Sequence, residues 1–334
     1  MVVFASLWRL LSTLALLIGV LASAACGGET ATTSAASTTS TSPSATAASD
    51  ESLRVGYQKY SWETVLQARG TRNLEVSWSE FPSGPAITEA LNAGSIDVGE
   101  LGEAPPVFGQ AAGVPFTTVA AAGAAPMSEA VLVARDSPIH RVEDLRGRTV
   151  ALNRGSNVQY LLVKLLGAHG LTLDDVEVRY LAPADARPAF ESGAVDAWVI
   201  WDPFLSIAQA TDGARRLADG TGLVANHIYF VASTSAVRRK AAALRTFLAQ
   251  LGKAVRWAVA HPDERAALIG GLLGIPVAAL VDAARRSGPG LVPIDDGLIA
   301  GQQEVADTFA RLGLIPNPIK VAADFDTAFN GAIR

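Results

Sequence analysis

The sequence predicts an α/β protein built as two similar lobes. Short apolar segments typical of strands alternate with helical patterns along most of the chain, which favours parallel-type sheets. One sequence motif also occurs twice. Ala90–Val98 and Ala189–Ala197 each end a helical pattern at Gly and continue with a small residue, a β-branched residue and Asp. Gly is a common helix stop, because it adopts the left-handed conformation without a side-chain clash. The two copies indicate two lobes, each of which ends a strand at a loop that faces a shared cleft.

Residues 1–25 have the features of an export signal. Arg9 supplies a positive charge, and Leu10–Val20 is an apolar run shorter than a membrane span. The chain's single cysteine, Cys26, follows this run and resembles the lipidated residue of a bacterial lipoprotein, whereas ordinary signal cleavage would release a soluble protein. Residues 26–51 are rich in Ala, Ser and Thr, so we expect a disordered tether. We therefore expect an exported protein, lipid-anchored at Cys26, on the outer face of the cytoplasmic membrane or in the periplasm.

The folded part begins with alternating strands and helices. Leu53–Tyr57 and Leu74–Trp78 have the patterns of strands, and a helical pattern runs from Trp62 to about Ala68. Ser83 is placed to cap the next helix. Further strands are predicted at Val131–Ala134, Thr149–Leu152, Val176–Tyr180, Ala197–Ile200 and Ile228–Val231. The remainder of the chain is rich in Ala and Leu and is predicted to be mostly helical.

This order of elements predicts one domain inserted into another. We assign residues 52–133 and 232–334 to a discontinuous first lobe and residues 134–231 to a second lobe. The chain then crosses twice between the lobes, near Ala134 and Ala232, and such a pair of crossings can act as a hinge.

The composition excludes several classes of function. The formal charge of −5 gives no sign of a nucleic-acid-binding surface. A single cysteine rules out internal disulfides and cysteine-based metal sites, and the four histidines never stand at the i, i+4 spacing of a helical metal site. The sequence contains no Gly-x-Ser-x-Gly motif, no phosphate-loop lysine and no dinucleotide fingerprint. We therefore expect a binding protein without a metal, a cofactor or an enzymatic activity.

Arg154–Asn157 is the strongest candidate for a binding site. The segment follows a predicted strand and directly precedes a helix, where backbone N–H groups and the helix dipole attract an anion. Ser156 or Asn157 can donate a further hydrogen bond, and Arg154 adds positive charge. The alternative is that Ser156 or Asn157 simply caps the helix.

Three further places are candidates for ligand contact. Gly99–Pro106 precedes another helix, and its glycines allow the backbone to approach a ligand, although a tight turn with solvated carboxylates is the simpler interpretation. Trp201 stands at the end of a strand beside Asp202 and either covers the apolar part of a ligand or packs in the core. His227 and Tyr229 stand near the second crossing as packing residues or as hydrogen-bond donors.

Six segments, in the same order, resemble the aliphatic sulfonate-binding proteins of bacterial ABC importers, in the family that includes taurine and nitrate binders. The resemblance runs from about Leu53 to Pro318 and is carried by Val55–Lys59, Phe81–Pro85, Gly94–Asp97, Gly109–Gly113, Tyr180–Arg187 and Gly193–Pro203. It implies a two-lobed periplasmic-binding-protein type II fold, with the ligand cleft between lobes joined by a two-strand hinge. It also implies that the protein closes on its ligand and docks on a permease.

The resemblance implies a cleft lined by Gln58, the Gly99–Glu103 loop, the Gly155-Ser156 turn and Trp201. Many members have hydroxyl residues where this chain has Glu100 and Leu101. A carboxylate at that place repels an anion unless it turns away or pairs with a ligand amine. The full set of ligand-binding residues that we predict is Gln58, Glu100, Leu101, Gly102, Glu103, Arg154, Gly155, Ser156, Asn157, Trp201, Asp202, His227 and Tyr229.

The function expected from this resemblance is capture of a small anionic solute, an aliphatic sulfonate, by a monomeric, membrane-tethered receptor that serves an ABC importer in sulfur uptake. Taurine, nitrate or another related solute is the first alternative. An enzyme similar to thiamine-pyrimidine synthases is the second, although such enzymes use a cysteine-rich motif. A sensory lobe without transport is the third.

A permanent sulfonate anion requires neutral donors and helix N-termini rather than a titrating base, and closure of the cleft strengthens those hydrogen bonds.

Overall fold

The computed structural model describes residues 52–333, so the predicted export signal, the lipidation site Cys26 and the predicted tether lie outside the described residues. The strands are β1 Ser52–Tyr57, β2 Glu75–Glu80, β3 Val98–Gly102, β4 Phe116–Ala122, β5 Glu129–Val133, β6 Thr149–Leu152, β7 Glu177–Tyr180, β8 Ala197–Trp201, β9 Arg215–Asp219, β10 Ile228–Ser233 and β11 Leu291–Val292. The α-helices are α1 Trp62–Arg69, α2 Gly84–Asn92, α3 Ala104–Ala111, α4 Asn157–Ala168, α5 Pro183–Glu191, α6 Phe204–Thr211, α7 Thr234–Arg239, α8 Ala241–Ala260, α9 Pro262–Leu273, α10 Val277–Arg286 and α11 Asp296–Arg311. Among the described helices, none has the length and apolar character needed to cross a bilayer.

Six of the strands form a first sheet, in the order β11-β4-β10-β3-β1-β2. Strand β1 pairs in parallel with β2 and β3, whereas β10 runs antiparallel to both β3 and β4. The apolar side chains of β1, such as Leu53 and Val55, pack with Phe247 of α8 and Leu280 of α10 in one core. We call the elements around this sheet the first lobe.

The other five strands form a second sheet, in the order β7-β6-β8-β5-β9. Strand β6 pairs in parallel with β7 and β8, and β5 runs antiparallel to β8 and β9. Helix α4 packs Val158 and Leu161 against this sheet, and the same core takes up Val107 of α3 and Phe309 of α11. We call the elements around this sheet the second lobe. Because α3 directly follows β3 of the first sheet, its first turn lies where the two lobes meet.

The predicted α/β architecture with two sheets is confirmed, but two details differ. Each sheet is mixed rather than parallel, because a strand that returns from the other lobe enters antiparallel to its neighbours. The chain passes between the sheets at residues 123–128 and 220–227. The predicted lobe boundaries at 133/134 and 231/232 therefore assign β5 and β10 to the wrong sheets. Strand pairing decides sheet membership, and the alternation of apolar residues does not reveal a strand's partner. The division into one discontinuous and one inserted domain stays a prediction.

Candidate functional site

A cavity of about 120 Å³ lies between the two lobes. It is lined by Gln58, Lys59, Tyr60, Ser61, Trp62, Gly84, Glu100, Gly102, Pro105, Ala125, Ser128, Ser156, Asn157, Trp201, Asp202, Asn226, Ile228, Arg265, Ala283 and Ser287. Several of these residues stand at or just beyond the ends of β1, β3, β6 and β8, which is where α/β sheets bind ligands.

The cavity brings together seven of the thirteen predicted ligand residues: Gln58, Glu100, Gly102, Ser156, Asn157, Trp201 and Asp202. The other six lie outside it: Leu101, Glu103, Arg154, Gly155, His227 and Tyr229. Leu101 is fully buried in an apolar cluster of the first lobe. Arg154 is exposed, and its guanidinium stacks on the ring of Tyr180 at 3.8 Å instead of adding charge to the cavity.

The N-terminus of α4 lies in the cavity without a side-chain cap. Ser156 precedes the helix, but its hydroxyl donates back to the Asn153 carbonyl at 2.7 Å and accepts no bond from the first turn. The Gly155 N–H, in a turn with φ of 71°, donates to Gln159 Oε1. The simple capping interpretation is therefore wrong for Ser156. The Gln159 N–H donates to the Ser156 carbonyl, so the Asn157 and Val158 N–H groups are the first-turn donors that can serve a ligand anion.

Asn157 joins the two lobes at the inner end of the cavity. Its Oδ1 accepts a hydrogen bond from the Ala104 N–H at the start of α3, and its Nδ2 donates to Asn226 Oδ1 at 2.5 Å. Gly102 makes this contact possible, since a Cβ added there would lie 2.1 Å from Asn157 Oδ1. The Asn157 side chain thus has a positioning role, which local sequence reasoning attributed to ligand contact or capping.

The Glu100 carboxylate is turned into the protein framework. Its Oε2 accepts from the Trp62 N–H at 2.7 Å, which ties the start of α1 to β3. Burial raises the pKa of Glu100, and its neighbour Glu63, the Trp62 N–H and the charge of Arg265 act in the opposite direction. Burial and the Glu100 charge raise the pKa of Glu63 well above its usual value.

Arg265 is the most consequential of the lining residues that the sequence did not reveal. It belongs to α9, is 2% exposed, and lines the cavity with its guanidinium 4.7 Å from the ring centre of Tyr60 and 4.2 Å from that of Trp62. One direct hydrogen bond runs from its Nη1 to Ser287 Oγ at 2.7 Å, while its buried Nε has no acceptor. Among residues 52–333, no carboxylate comes within ion-pair distance of this guanidinium. Burial lowers its pKa, but the guanidinium stays charged because its ordinary value is so high.

Comparison with known proteins agrees with this two-lobed architecture. Residues 71–265 match the family model described as "NMT1/THI5 like". The chain belongs to the NMT1/THI5-like family. A "Putative aliphatic sulfonates-binding protein" of Escherichia coli K12 is 38% identical over 285 residues, which cover 83% of this chain and 89% of that protein.

Two solved structures have the same fold as this NMT1/THI5-like protein. The alkanesulfonate-binding protein from Xanthomonas axonopodis pv. citri bound to MOPS has a TM-score of 0.78 at 33% identity, and the match covers 83% of this chain and 98% of that one. The periplasmic aliphatic sulphonate binding protein from Escherichia coli has a TM-score of 0.73 at 37% identity, with 82% and 91% covered. The predicted periplasmic-binding-protein fold is thereby confirmed, and this NMT1/THI5-like chain has the architecture of a substrate-binding protein.

Asp202, at the rim of the cavity, takes part in an ion pair between the lobes. Arg286 of α10 donates to both of its carboxylate oxygens at 3.0 Å, and the Ser206 N–H and hydroxyl donate to Oδ1. Both ionic side chains are largely buried. Trp201, beside it, is partly exposed to the cavity and packs edge-on against Phe204. In this NMT1/THI5-like protein Asp202 therefore has its acceptors occupied, whereas Trp201 stays free to cover a ligand.

A second group of buried carboxyls lies at the two crossings between the lobes. Glu103 Oε2 accepts from the His227 N–H at 3.1 Å, while its Oε1 has no partner. Neither oxygen of Glu129 has a partner, and the hydroxyl of Tyr229 is also unpartnered. Burial raises the pKa of Glu103 to about 7, and burial together with the Glu103 charge raises that of Glu129 well above its usual value. The predicted residues Glu103, His227 and Tyr229 thus form a buried polar cluster at the crossings.

Because the Glu103 pKa is raised on folding, the native state takes up a proton between pH 4.5 and about 7. A group that binds its proton more tightly when folded stabilises the protein below that window, and the contribution is lost as the pH rises. We expect the free energy of unfolding to fall between pH 5 and pH 8, with about 3 kcal/mol of the decrease due to Glu103. Glu103→Gln should reduce this decrease in chemical denaturation at each pH.

Glu89→Gln, at an exposed position on α2, is the matched control and should keep the pH dependence of the parent protein. The variant keeps a remaining slope of the same sign, because the pKa values of Glu129 and Glu63 are raised as well. A slope unchanged in Glu103→Gln would contradict the assignment to this carboxyl.

Proposed function

We propose that this protein is the extracytoplasmic substrate-binding lipoprotein of an ABC importer and captures an aliphatic sulfonate for sulfur uptake. The observation that carries the proposal is a cavity that combines the uncapped N-terminus of α4 with an unpaired, buried guanidinium, Arg265. A sulfonate stays anionic at all physiological pH values, and both features favour a permanent anion. Relatives named for sulfonates, one of them bound to the alkanesulfonate MOPS, support the same ligand class.

The Glu100 carboxylate is compatible with an anionic ligand. Its Oε2 accepts a hydrogen bond from the Trp62 N–H, and the nearby charge of Arg265 lowers its pKa against the effect of burial. A carboxylate that already accepts hydrogen bonds from the protein repels an anion in the cavity less than a free carboxylate does. Glu100 therefore acts in positioning the Trp62 end of the cavity and not as a direct ligand.

A binding role is proposed in preference to an enzymatic one. Among the lining residues of the described cavity, the hydroxyls of Ser128, Ser156 and Ser287 donate to backbone carbonyls and that of Ser61 contacts the Thr64 hydroxyl, so none of these serines is hydrogen-bonded to the base that a nucleophile requires. We further propose that Cys26 carries the lipid anchor, that residues 26–51 tether the monomeric domain to the membrane, and that the permease of an importer accepts the loaded form.

The ligand class is tested by thermal unfolding of the purified full chain with ethanesulfonate, taurine, nitrate and, as matched control, propionate. A ligand that binds only the native state adds about 2.7 kcal/mol at a concentration of about 100 times Kd, which raises Tm by several degrees. We expect this rise with ethanesulfonate and a smaller one with propionate, which lacks the tetrahedral anion proposed to bind at the N-terminus of α4. A rise with nitrate or taurine in place of ethanesulfonate would favour the corresponding alternative, and no rise with any of them would overturn the proposed class.

A further inference from the structure

The cavity has two separate places that favour an acceptor group. One is the N-terminus of α4 with Ser156, where the donors are neutral N–H groups. The other is the Arg265 guanidinium on α9, beside Ser287. The first belongs to the second lobe, and the second lies among helices that pack in the first lobe's core. A sulfonate bound at α4 therefore does not use the N–H donors of the Arg265 guanidinium.

The acidic groups near Arg265 are already occupied by other partners. Glu100 and Asp202 both act on the guanidinium through space. Glu100 accepts from the Trp62 N–H, and Asp202 is held by Arg286 and Ser206. A buried cation without a directly bonded anion is unfavourable, so an anion supplied by the ligand gains the most at this point.

The surroundings of Arg265 select the shape of that anion. The rings of Tyr60 and Trp62 lie against the guanidinium and confine its hydrogen bonding to the edge, where Nη1 already donates to Ser287 Oγ and the buried Nε has no acceptor. The edge of a guanidinium is a planar fork that matches the two oxygens of a carboxylate. Lys59 also lines the cavity, but it pairs with Glu80 at an exposed position and offers a single point charge.

We infer that the preferred ligand is a short sulfonate with a carboxylate at its other end, the sulfonate at the N-terminus of α4 and the carboxylate at Arg265. This inference rests on the proposed function, since it assumes a sulfonate at α4. Both places line the same cavity of about 120 Å³, so one small ligand can contact both. Arg265 is then the residue that determines specificity for the second group.

The test is calorimetric titration of the full chain with a matched series of two-carbon sulfonates. Ethanesulfonate has no second group, isethionate carries a hydroxyl, taurine an ammonium and sulfoacetate a carboxylate. We expect sulfoacetate to bind at least about tenfold more tightly than ethanesulfonate and taurine to bind most weakly, because a charge-assisted bidentate pair replaces water at the guanidinium. Sulfoacetate and ethanesulfonate of equal affinity would overturn the inference and leave the proposed function intact. No binding by any member of the series would overturn both.

Two variants locate the effect in the guanidinium. Arg265→Gln should bring sulfoacetate and ethanesulfonate to equal affinity, whereas Arg265→Lys should keep part of the preference for sulfoacetate, because it retains the charge and loses the fork. Arg285→Gln, on the exposed face of α10, is the matched control and should leave the series unchanged. A sulfoacetate preference that survives in Arg265→Gln would overturn the assignment. If Arg265→Gln does not fold, the wild-type series and Arg265→Lys decide the question.

Discussion

Replacement of Arg286 by methionine is expected to lower the free energy of unfolding by about 3–5 kcal/mol, because it leaves the buried Asp202 carboxylate without its cation. The Asp202 side chain is 4% exposed and that of Arg286 13%, so water cannot substitute for the lost partner. Ser206 keeps its two hydrogen bonds to Oδ1, but Oδ2 loses the bond from Arg286 Nε. Because α10 packs in the first lobe and α6 in the second, the same change also weakens the contact between the lobes. Urea denaturation of the full chain measures the effect.

The neighbouring residue Arg285 provides a matched control. It pairs with Asp263 at 3.3 Å, but both side chains are more than half exposed, so Arg285→Met should change the free energy of unfolding by less than about 1 kcal/mol. The double variant Asp202→Asn, Arg286→Met removes the unpaired charge and should recover much of the loss. Equal stability losses in the Arg286→Met and Arg285→Met variants would contradict the assignment of a buried ion pair between the lobes.

The two-lobed architecture could be predicted because the repeated sequence motif, Ala90–Val98 and Ala189–Ala197, has a local structural cause. Gly94 and Gly193 both adopt the left-handed conformation, with φ of 67° and 74°. The Asp three residues later accepts a hydrogen bond from the N–H of a neighbouring strand in each lobe: Asp97 from Arg54 at 2.9 Å, and Asp196 from Thr149 at 2.8 Å. A helix stop and a strand anchor within four residues are visible in a sequence.

The partners of β5 and β10 could not be predicted in the same way. Strand β5 pairs with β8, some 70 residues further along the chain, and β10 inserts between β3 and β4. Nothing in an apolar strand of five or six residues specifies such partners, so the predicted lobe boundaries came a few residues too late in the chain.

The site residues that could be predicted likewise depend on local features, and those that could not depend on contacts distant in the sequence. The turn before α4 could be found from its own residues, since a strand, a Gly and a helix start occur together. Arg265 could not be found, because its segment has the acidic start and scattered charges typical of a solvated helix. Its burial depends on Tyr60 and Trp62, about 200 residues earlier in the sequence. Likewise, the sequence places a carboxyl at Glu100 but does not show that the Trp62 N–H and Glu63 occupy it.

Substitution of Gly102 by alanine is expected to reduce sulfonate affinity by at least about tenfold and to lower the free energy of unfolding by about 1–3 kcal/mol. The new Cβ would lie 2.1 Å from Oδ1 and 2.3 Å from Nδ2 of Asn157, distances that no side-chain contact tolerates. Asn157 must then leave its bonds to the Ala104 N–H and to Asn226. Since Asn157 is the first residue of α4, its displacement also moves the N–H groups proposed to bind the sulfonate. Calorimetric titration and urea denaturation measure the two effects.

Two further variants distinguish a collision with Asn157 from a general effect of alanine. Gly167 lies in α4, the helix that begins at Asn157, at an exposed position with nothing within 4 Å of an added Cβ. Gly167→Ala should therefore stabilise the protein by about 0.5–1 kcal/mol through helix propensity. The double variant Gly102→Ala, Asn157→Ala removes the colliding amide, so it should regain stability relative to Gly102→Ala while its sulfonate affinity stays low. Wild-type affinity in Gly102→Ala would show that the start of α4 does not need the Asn157 bridge. Recovery of stability without affinity would show that the bridge serves the ligand, because the fold then tolerates its loss and the anion site does not.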